Sequence, residues 1–117
     1  MPLDRDRATL LDLAVASKRV LEFIGDQSFD SFSQDLKTQS AVVLQILILG
    51  EAAKRLSSEF RNLHPEIPWS DIMRMRDRLI HHYESMDPGE IWQAAIQDIP
   101  SLLLFLERIR AEGEGTS

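Results

Sequence analysis

The sequence predicts an all-α protein, a four- or five-helix bundle with up-and-down neighbours. Three observations carry this. Apolar residues recur three and four positions apart along most of the chain, which is the spacing of one helix face. Valine and isoleucine are scattered through these segments and do not alternate with polar residues as a half-buried strand requires. Glycine and proline sit at only a few boundaries, where helices would start or stop. A chain of 117 residues has enough length for one core and too little for two, so residues 1–117 read as a single domain. A hydrophobic share of 44% excludes a disordered chain.

The elements follow in order. Leu10, Leu13, Ala14, Ser17, Val20, Leu21 and Ile24 share a helical stripe, and Gly25 follows as a stop signal. The first helix therefore covers about residues 4–24. Residues 26–37 read as a loop with room for one helical turn. A long second helix is predicted over about 38–62. Its first half, Ala41 to Leu49, is apolar nearly all round, and such a helix is buried on more than one side. In a domain this small, a second copy of the chain would cover the remaining face, which predicts a homodimer or higher oligomer. His64-Pro65-Glu66-Ile67-Pro68 breaks the helical pattern, and a third helix begins near Trp69 or Ser70. Asp87-Pro88-Gly89-Glu90 reads as a helix start, with Asp87 as N-cap, Pro88 at the first helical position and Glu90 as capping-box partner. Ile91, Trp92, Ala95 and Ile99 would face inward on the fourth helix. Pro100 would kink or restart it, and Leu102, Leu103, Phe105, Leu106 and Ile109 continue its apolar face. Residues 111–117 read as a frayed tail.

Composition narrows the setting. The absence of cysteine excludes a disulfide framework and cysteine-based metal sites. Met1 to Arg7 leads into a mixed segment without the apolar run of a secretory leader. The apolar run from Ala41 to Gly50 is shorter than the ~20 residues that span a bilayer. These readings predict a cytoplasmic protein with no membrane partner. The formal charge of -6 argues against a general nucleic-acid binder. The charge is uneven, however. Residues 54–82 carry six basic side chains against four acidic ones, so a polyanion would meet this middle segment. Most of these charges fit ordinary solvated helix faces, Arg55, Arg61 and Arg74 among them.

Within that segment, Arg76-Asp77-Arg78-Leu79-Ile80-His81-His82-Tyr83 gathers two arginines, two adjacent histidines and the chain's one tyrosine. Histidine can exchange protons near neutral pH. Arginine is a permanently charged fork suited to phosphate oxygens. On a helical wheel, Ile72, Met75, Leu79, Tyr83 and Met86 share one face, and Arg76 falls inside that stripe. A charge there is costly unless it is paired or kept wet in a cleft. Glu51, on the preceding long helix, is the expected carboxylate partner. His81 lies about 140° round an ideal helix from Arg76, so the helix loosens near His81 or two subunits assemble the site. His82 points elsewhere again. Adjacent histidines diverge, and no histidine follows either of them at the fourth position, so no metal site is predicted. No glycine-rich phosphate loop is present either, and no cofactor is expected.

The motif is similar to the Arg-X4-His-X-Tyr form found in the HepT toxins of the HEPN superfamily. The resemblance extends to Ile48-Leu49-Gly50-Glu51-Ala52-Ala53-Lys54-Arg55-Leu56, to His64-Pro65-Glu66-Ile67-Pro68-Trp69 and to Asp87-Pro88-Gly89-Glu90-Ile91-Trp92, and covers about residues 3–110. It implies a HEPN-like helical dimer with the two motifs facing a shared cleft. It implies an endoribonuclease that needs no metal, with His81 as general acid and base and Arg76 stabilising phosphate charge. It implies a role as toxin beside an antitoxin nucleotidyltransferase that attaches AMP to Tyr83, a residue at the RNA cleft. Asp77 departs from the asparagine common at that position; it lowers the local positive potential and could pair with Arg78 or His81. Arg78, His82 and Glu51 complete the supporting set. A competing reading is a non-catalytic helical module that docks a nucleotidyltransferase, in which Tyr83 and the dimer surface would matter and His81 would not.

Overall fold

A computed structural model describes the backbone of residues 2–115, and the side chains of residues 5–112 except Tyr83. Among the described residues there are seven α-helices and no strand. The four long rods of the predicted bundle are present, with two short helices in their connections.

Helix α1 runs Pro2–Ile24 and stops at Gly25, whose φ of 54° lies in the left-handed region that a residue without Cβ enters readily. The predicted helical turn in the next loop is α2, Phe29–Ser33. Ser28 caps it by accepting the Ser31 N–H, and its buried Phe32 packs on Trp92 with ring centroids 5.3 Å apart. Helix α3, Leu36–Arg55, opens on Asp35. The Asp35 carboxylate accepts from the Thr38 hydroxyl and N–H and from the Gln27 amide. These bonds, the Thr38 hydroxyl foremost, pull its pKa down to about 2.

The helix expected to continue to 62 ends at Arg55 instead. Leu56 and Ser57 turn extended, and α4, Ser58–Leu63, begins anew. The reason is a tertiary contact. Asp6 on α1, itself buried, accepts the Ser57 N–H at 2.9 Å and its hydroxyl at 2.7 Å. Ser57 Oγ in turn caps α4 by accepting the Phe60 N–H. The two-proline turn follows, closed by the Trp69 indole N–H donating to the His64 carbonyl at 2.9 Å. Helix α5 spans Trp69–His82 and tightens into a 3₁₀ turn at Tyr83–Ser85.

Helix α6, Pro88–Gln93, starts as predicted on Asp87, which accepts the Gly89 N–H. Glu90 does not complete a capping box; its carboxylate pairs with Arg78. A π turn at Ala94–Asp98 joins α6 to α7, Ile99–Gly115, with helical backbone at both junctions. The helix therefore does not restart at Pro100. Proline lacks the N–H that would bond one turn back, and the widened turn before it absorbs the mismatch. The tail expected from residue 111 is helix as far as Gly115; residues 116 and 117 lie outside the described residues.

Helix α1 lies antiparallel on α3, since Asp6 and Asp12 near its start meet Ser57 and Arg55 at the other's end. Helix α7 packs on α1, and α5 on α3. Leu13, Val20, Val42, Leu49 and Leu79 are fully enclosed where these rods meet. The apolar α3 is thus buried on two sides, as its sequence requires. Leu36 and Leu44 remain exposed, at 70% and 55%. By length and composition α3 could cross a membrane, yet here it is the central helix of the bundle, packed between α1 and α5.

The approach of α5 to α3 is closest at Gly50. A Cβ there would fall on the Cβ of Arg76 and 2.6 Å from its Cγ. Both atoms lie next to the α5 backbone, so the helix itself would have to move. Alanine normally favours a helix over glycine by about 1 kcal/mol. Here Gly50→Ala is expected to reverse that sign and destabilise by about 1–3 kcal/mol through overpacking, read by urea denaturation. A gain in stability would show that α5 can shift freely.

Candidate functional site

Arg76 is the residue that packing explains least, and charge holds it in place. The inward spacing of α5 aims it at α3, where Gly50 leaves room for the start of its side chain. Its guanidinium then meets two carboxylates. Nη2 lies 2.9 Å from Glu51 Oε2, and Nη1 donates to Asp77 Oδ1 at 2.9 Å. The partner expected at Glu51 is in place.

Asp77 pairs differently from expectation. It turns to neither Arg78 nor His81. Its Oδ1 accepts from Arg76 and also from Lys54 Nζ on α3, at 3.0 Å. The Lys54 hydrogen bond first, and that of Arg76 second, hold this carboxyl below its ordinary range. Lys54 is the site member that sequence reasoning missed. The available signal was its place three residues after Glu51, which puts both on one face of α3. Glu51, Arg76, Asp77 and Lys54 thus form a quartet of alternating charge. With side chains 25–49% exposed, it contributes little to stability; what it fixes is the position of the guanidinium.

His81 lies elsewhere. Helix α5 stays regular through His82, so it does not loosen soon enough to swing His81 toward Arg76. The angle of about 140° therefore stands, and one chain does not bring the two side chains together. Exposed His81 borders a hollow of about 460 Å³, shared with Ile80, His82, Glu84 and Ser85. The His82 ring sits 6.5 Å away, inclined by 62°. The Ser85 hydroxyl donates to the His82 carbonyl and closes the 3₁₀ turn whose first residue is Tyr83. The side chain of Tyr83 lies outside the described residues.

Arg78, about 200° round from Arg76, joins a different surface. It pairs with Glu90 at 2.9 Å and borders a groove of about 550 Å³ between α5 and α6, with Asp71, Arg74 and Asp98. Burial first, then the charge of Asp71, raises the Asp98 pKa. Among the described residues, no three histidine or carboxylate side chains gather as a metal site would need. Chemically, one chain offers a held cationic fork and, apart from it, an exposed imidazole.

Fold and motif together define a helical-bundle protein carrying an Arg–His–Tyr motif along α5 and the turn that follows it. The chain belongs to the ribonuclease HepT-like family of the HEPN superfamily, which residues 13–109 match. It is 38% identical to a candidate RNase of Methanocaldococcus jannaschii over 98% of this chain and 95% of that protein. It is 44% identical to a candidate ribonuclease HepT of Thermococcus cleftensis over 86% of this chain and 92% of that protein. A candidate RNase of Caldanaerobacter subterraneus subsp. tengcongensis is 39% identical over 71% of this chain and 74% of its own length. No solved structure matches.

The quartet makes a prediction about acid. Asp77 has a depressed pKa in the folded chain, so its pairing contributes above the ordinary carboxylate value of 3.8 and is lost as pH falls through the lowered one. Carboxyl-carbon NMR is expected to find Asp77 titrating below 3.8 in wild type and closer to it in Lys54→Ala. An unmoved titration in that variant would mean that Lys54 does not hold the carboxylate in solution.

Proposed function

We propose that the chain is an endoribonuclease that works without metal, the toxin of a pair whose antitoxin is a nucleotidyltransferase. The observation that carries this is the run Arg76 to Tyr83, on α5 and the first residue of the turn after it, in a member of the ribonuclease HepT-like family. In the proposed chemistry His81 takes the proton of an RNA 2′-hydroxyl. That oxygen attacks the adjacent phosphorus, the bond to the 5′ oxygen breaks, and a proton returns to the leaving oxygen. The products are a cyclic phosphate and a free 5′-hydroxyl. Arg76 stabilises the charge that builds on the phosphate oxygens.

The 140° between the two side chains asks for a second copy, so that one phosphate meets both groups in a shared cleft. Leu36 and Leu44 on α3 and Ile80 on α5 are exposed apolar side chains available for that contact. AMP on Tyr83 would add bulk and negative charge beside His81 and His82 and so repel RNA. Such a protein acts in the cytoplasm, where its RNA and its partner are.

A second reading has one observation in its favour. Arg76 is occupied by two carboxylates in a chain of net charge -6, which suits a non-catalytic module that docks the nucleotidyltransferase.

RNA cleavage in EDTA by protein whose intact mass shows a bare Tyr83 separates the readings. Wild type is expected to cleave and leave cyclic-phosphate ends. His81→Ala is expected to lose at least about 100-fold in rate, and Arg76→Ala a similar factor. Cleavage by His81→Ala at the wild-type rate overturns the nuclease assignment; silence from wild type favours the docking module. Expression without the partner is expected to slow growth, with His81→Ala harmless. After incubation with the nucleotidyltransferase and ATP, the mass is expected to rise by AMP in wild type and to stay unchanged in Tyr83→Phe.

A further inference from the structure

Lys54 has no part in the chemistry just described, yet it shares a carboxylate oxygen with the arginine at its centre. Asp77 Oδ1 accepts from Arg76 Nη1 at 2.9 Å and from Lys54 Nζ at 3.0 Å. Glu51 engages the other end of the same guanidinium. With both cations and both carboxylates present, the quartet is neutral toward an incoming phosphate. Without Lys54 it would carry one negative charge, and two carboxylates would hold Arg76 unopposed. With Asp77 as asparagine it would carry one positive charge, and one of the two carboxylates that compete with phosphate for Arg76 would be gone.

We infer that Lys54 is a positioning residue for RNA binding. By occupying Asp77 it keeps Arg76 oriented yet free to exchange the Asp77 oxygen for a phosphate oxygen. Asp77 would otherwise draw the guanidinium into a closed ion pair. Lys54 thus offsets the charge that Asp77 brings to the middle of the motif. The inference rests on the nuclease reading. A structural account does not suffice, because the Lys54–Asp77 pair is 38% and 49% exposed, and exposed pairs contribute little to stability. The neighbouring Arg55 serves as a control. It is equally basic, but it pairs with Asp12 on α1 at 3.2 Å and takes no part in the quartet.

The test is steady-state cleavage of a single-stranded RNA oligonucleotide in EDTA, beside fluorescence-anisotropy binding of the same RNA to each variant in a His81→Ala background. Lys54→Ala is expected to raise KM and Kd about fivefold with a smaller change in kcat, the effect of one screened unit charge at ion-pair distance. Asp77→Asn is expected to lower both by a similar factor. The double variant should return close to wild type, Lys54→Arg should rescue, and Arg55→Ala should leave KM unchanged. A wild-type KM in Lys54→Ala overturns the inference. A double variant as impaired as Lys54→Ala also overturns it, since Lys54 would then act on RNA directly and not through Asp77. A wild type that cleaves while KM and Kd ignore Lys54 leaves the nuclease reading intact. A wild type that neither cleaves nor binds RNA removes both.

Discussion

The close approach of α5 to α3 at Gly50 is the constraint on which the site depends. A side chain at Gly50 would displace Arg76 at its Cβ. Because that position is bare, the guanidinium reaches Glu51 one residue on, and Asp77 comes within reach of Lys54 a turn further along α3. One missing methyl group therefore sets both ion-pair distances between the two helices. Glycine inside a helix weakens that helix. Here the weakness is offset by burial of the neighbouring Leu49, Ala52 and Ala53, which hold α3 between α1 and α5.

The rest of the bundle supports that crossing by fixing where helices begin and end. Asp35 sets the first turn of α3, and the Asp6–Ser57 contact ends it after Arg55. Lys54 and Arg55 therefore stand in the last turn of the helix, where cations are favoured by its dipole. The two then point to different partners, Lys54 to α5 and Arg55 to α1. At the far side, the π turn before Pro100 lets α6 and α7 run as one rod, so that Ile91, Ala95, Ile99 and Leu102 all reach the core.

Much of this was legible in the residues, and the misses share one cause. Periodicity located all four rods, and the Gly25, Asp87 and Trp69 boundaries followed from local chemistry. The break at Ser57 did not, because its decisive partner is fifty-one positions away on α1. The capping box at Glu90 failed for the same reason: Arg78 on another helix offered its carboxylate a charged partner. At the site, Glu51 could be paired with Arg76 because a charge on an apolar stripe demands a carboxylate, and few were placed to serve. Lys54 could not be found that way. An exposed lysine needs no partner, so nothing in the sequence obliges it to have one.

The same logic explains why Arg76 and His81 diverge without contradiction. A guanidinium and an imidazole on one helix face, one turn apart, would face the same phosphate from the same side. In-line displacement instead asks for groups on different sides of the phosphorus: one near the attacking oxygen, one near the equatorial oxygens. A regular helix with four residues between the two groups cannot supply this within one chain. On the proposed reading, a symmetric pair of chains can, because rotation about a two-fold axis carries each group to the opposite side of the shared cleft. On that reading the exposed apolar side chains on α3 and α5 would serve the association that the spacing asks for. On the proposed reading association and chemistry would be one requirement, met by the same two helices.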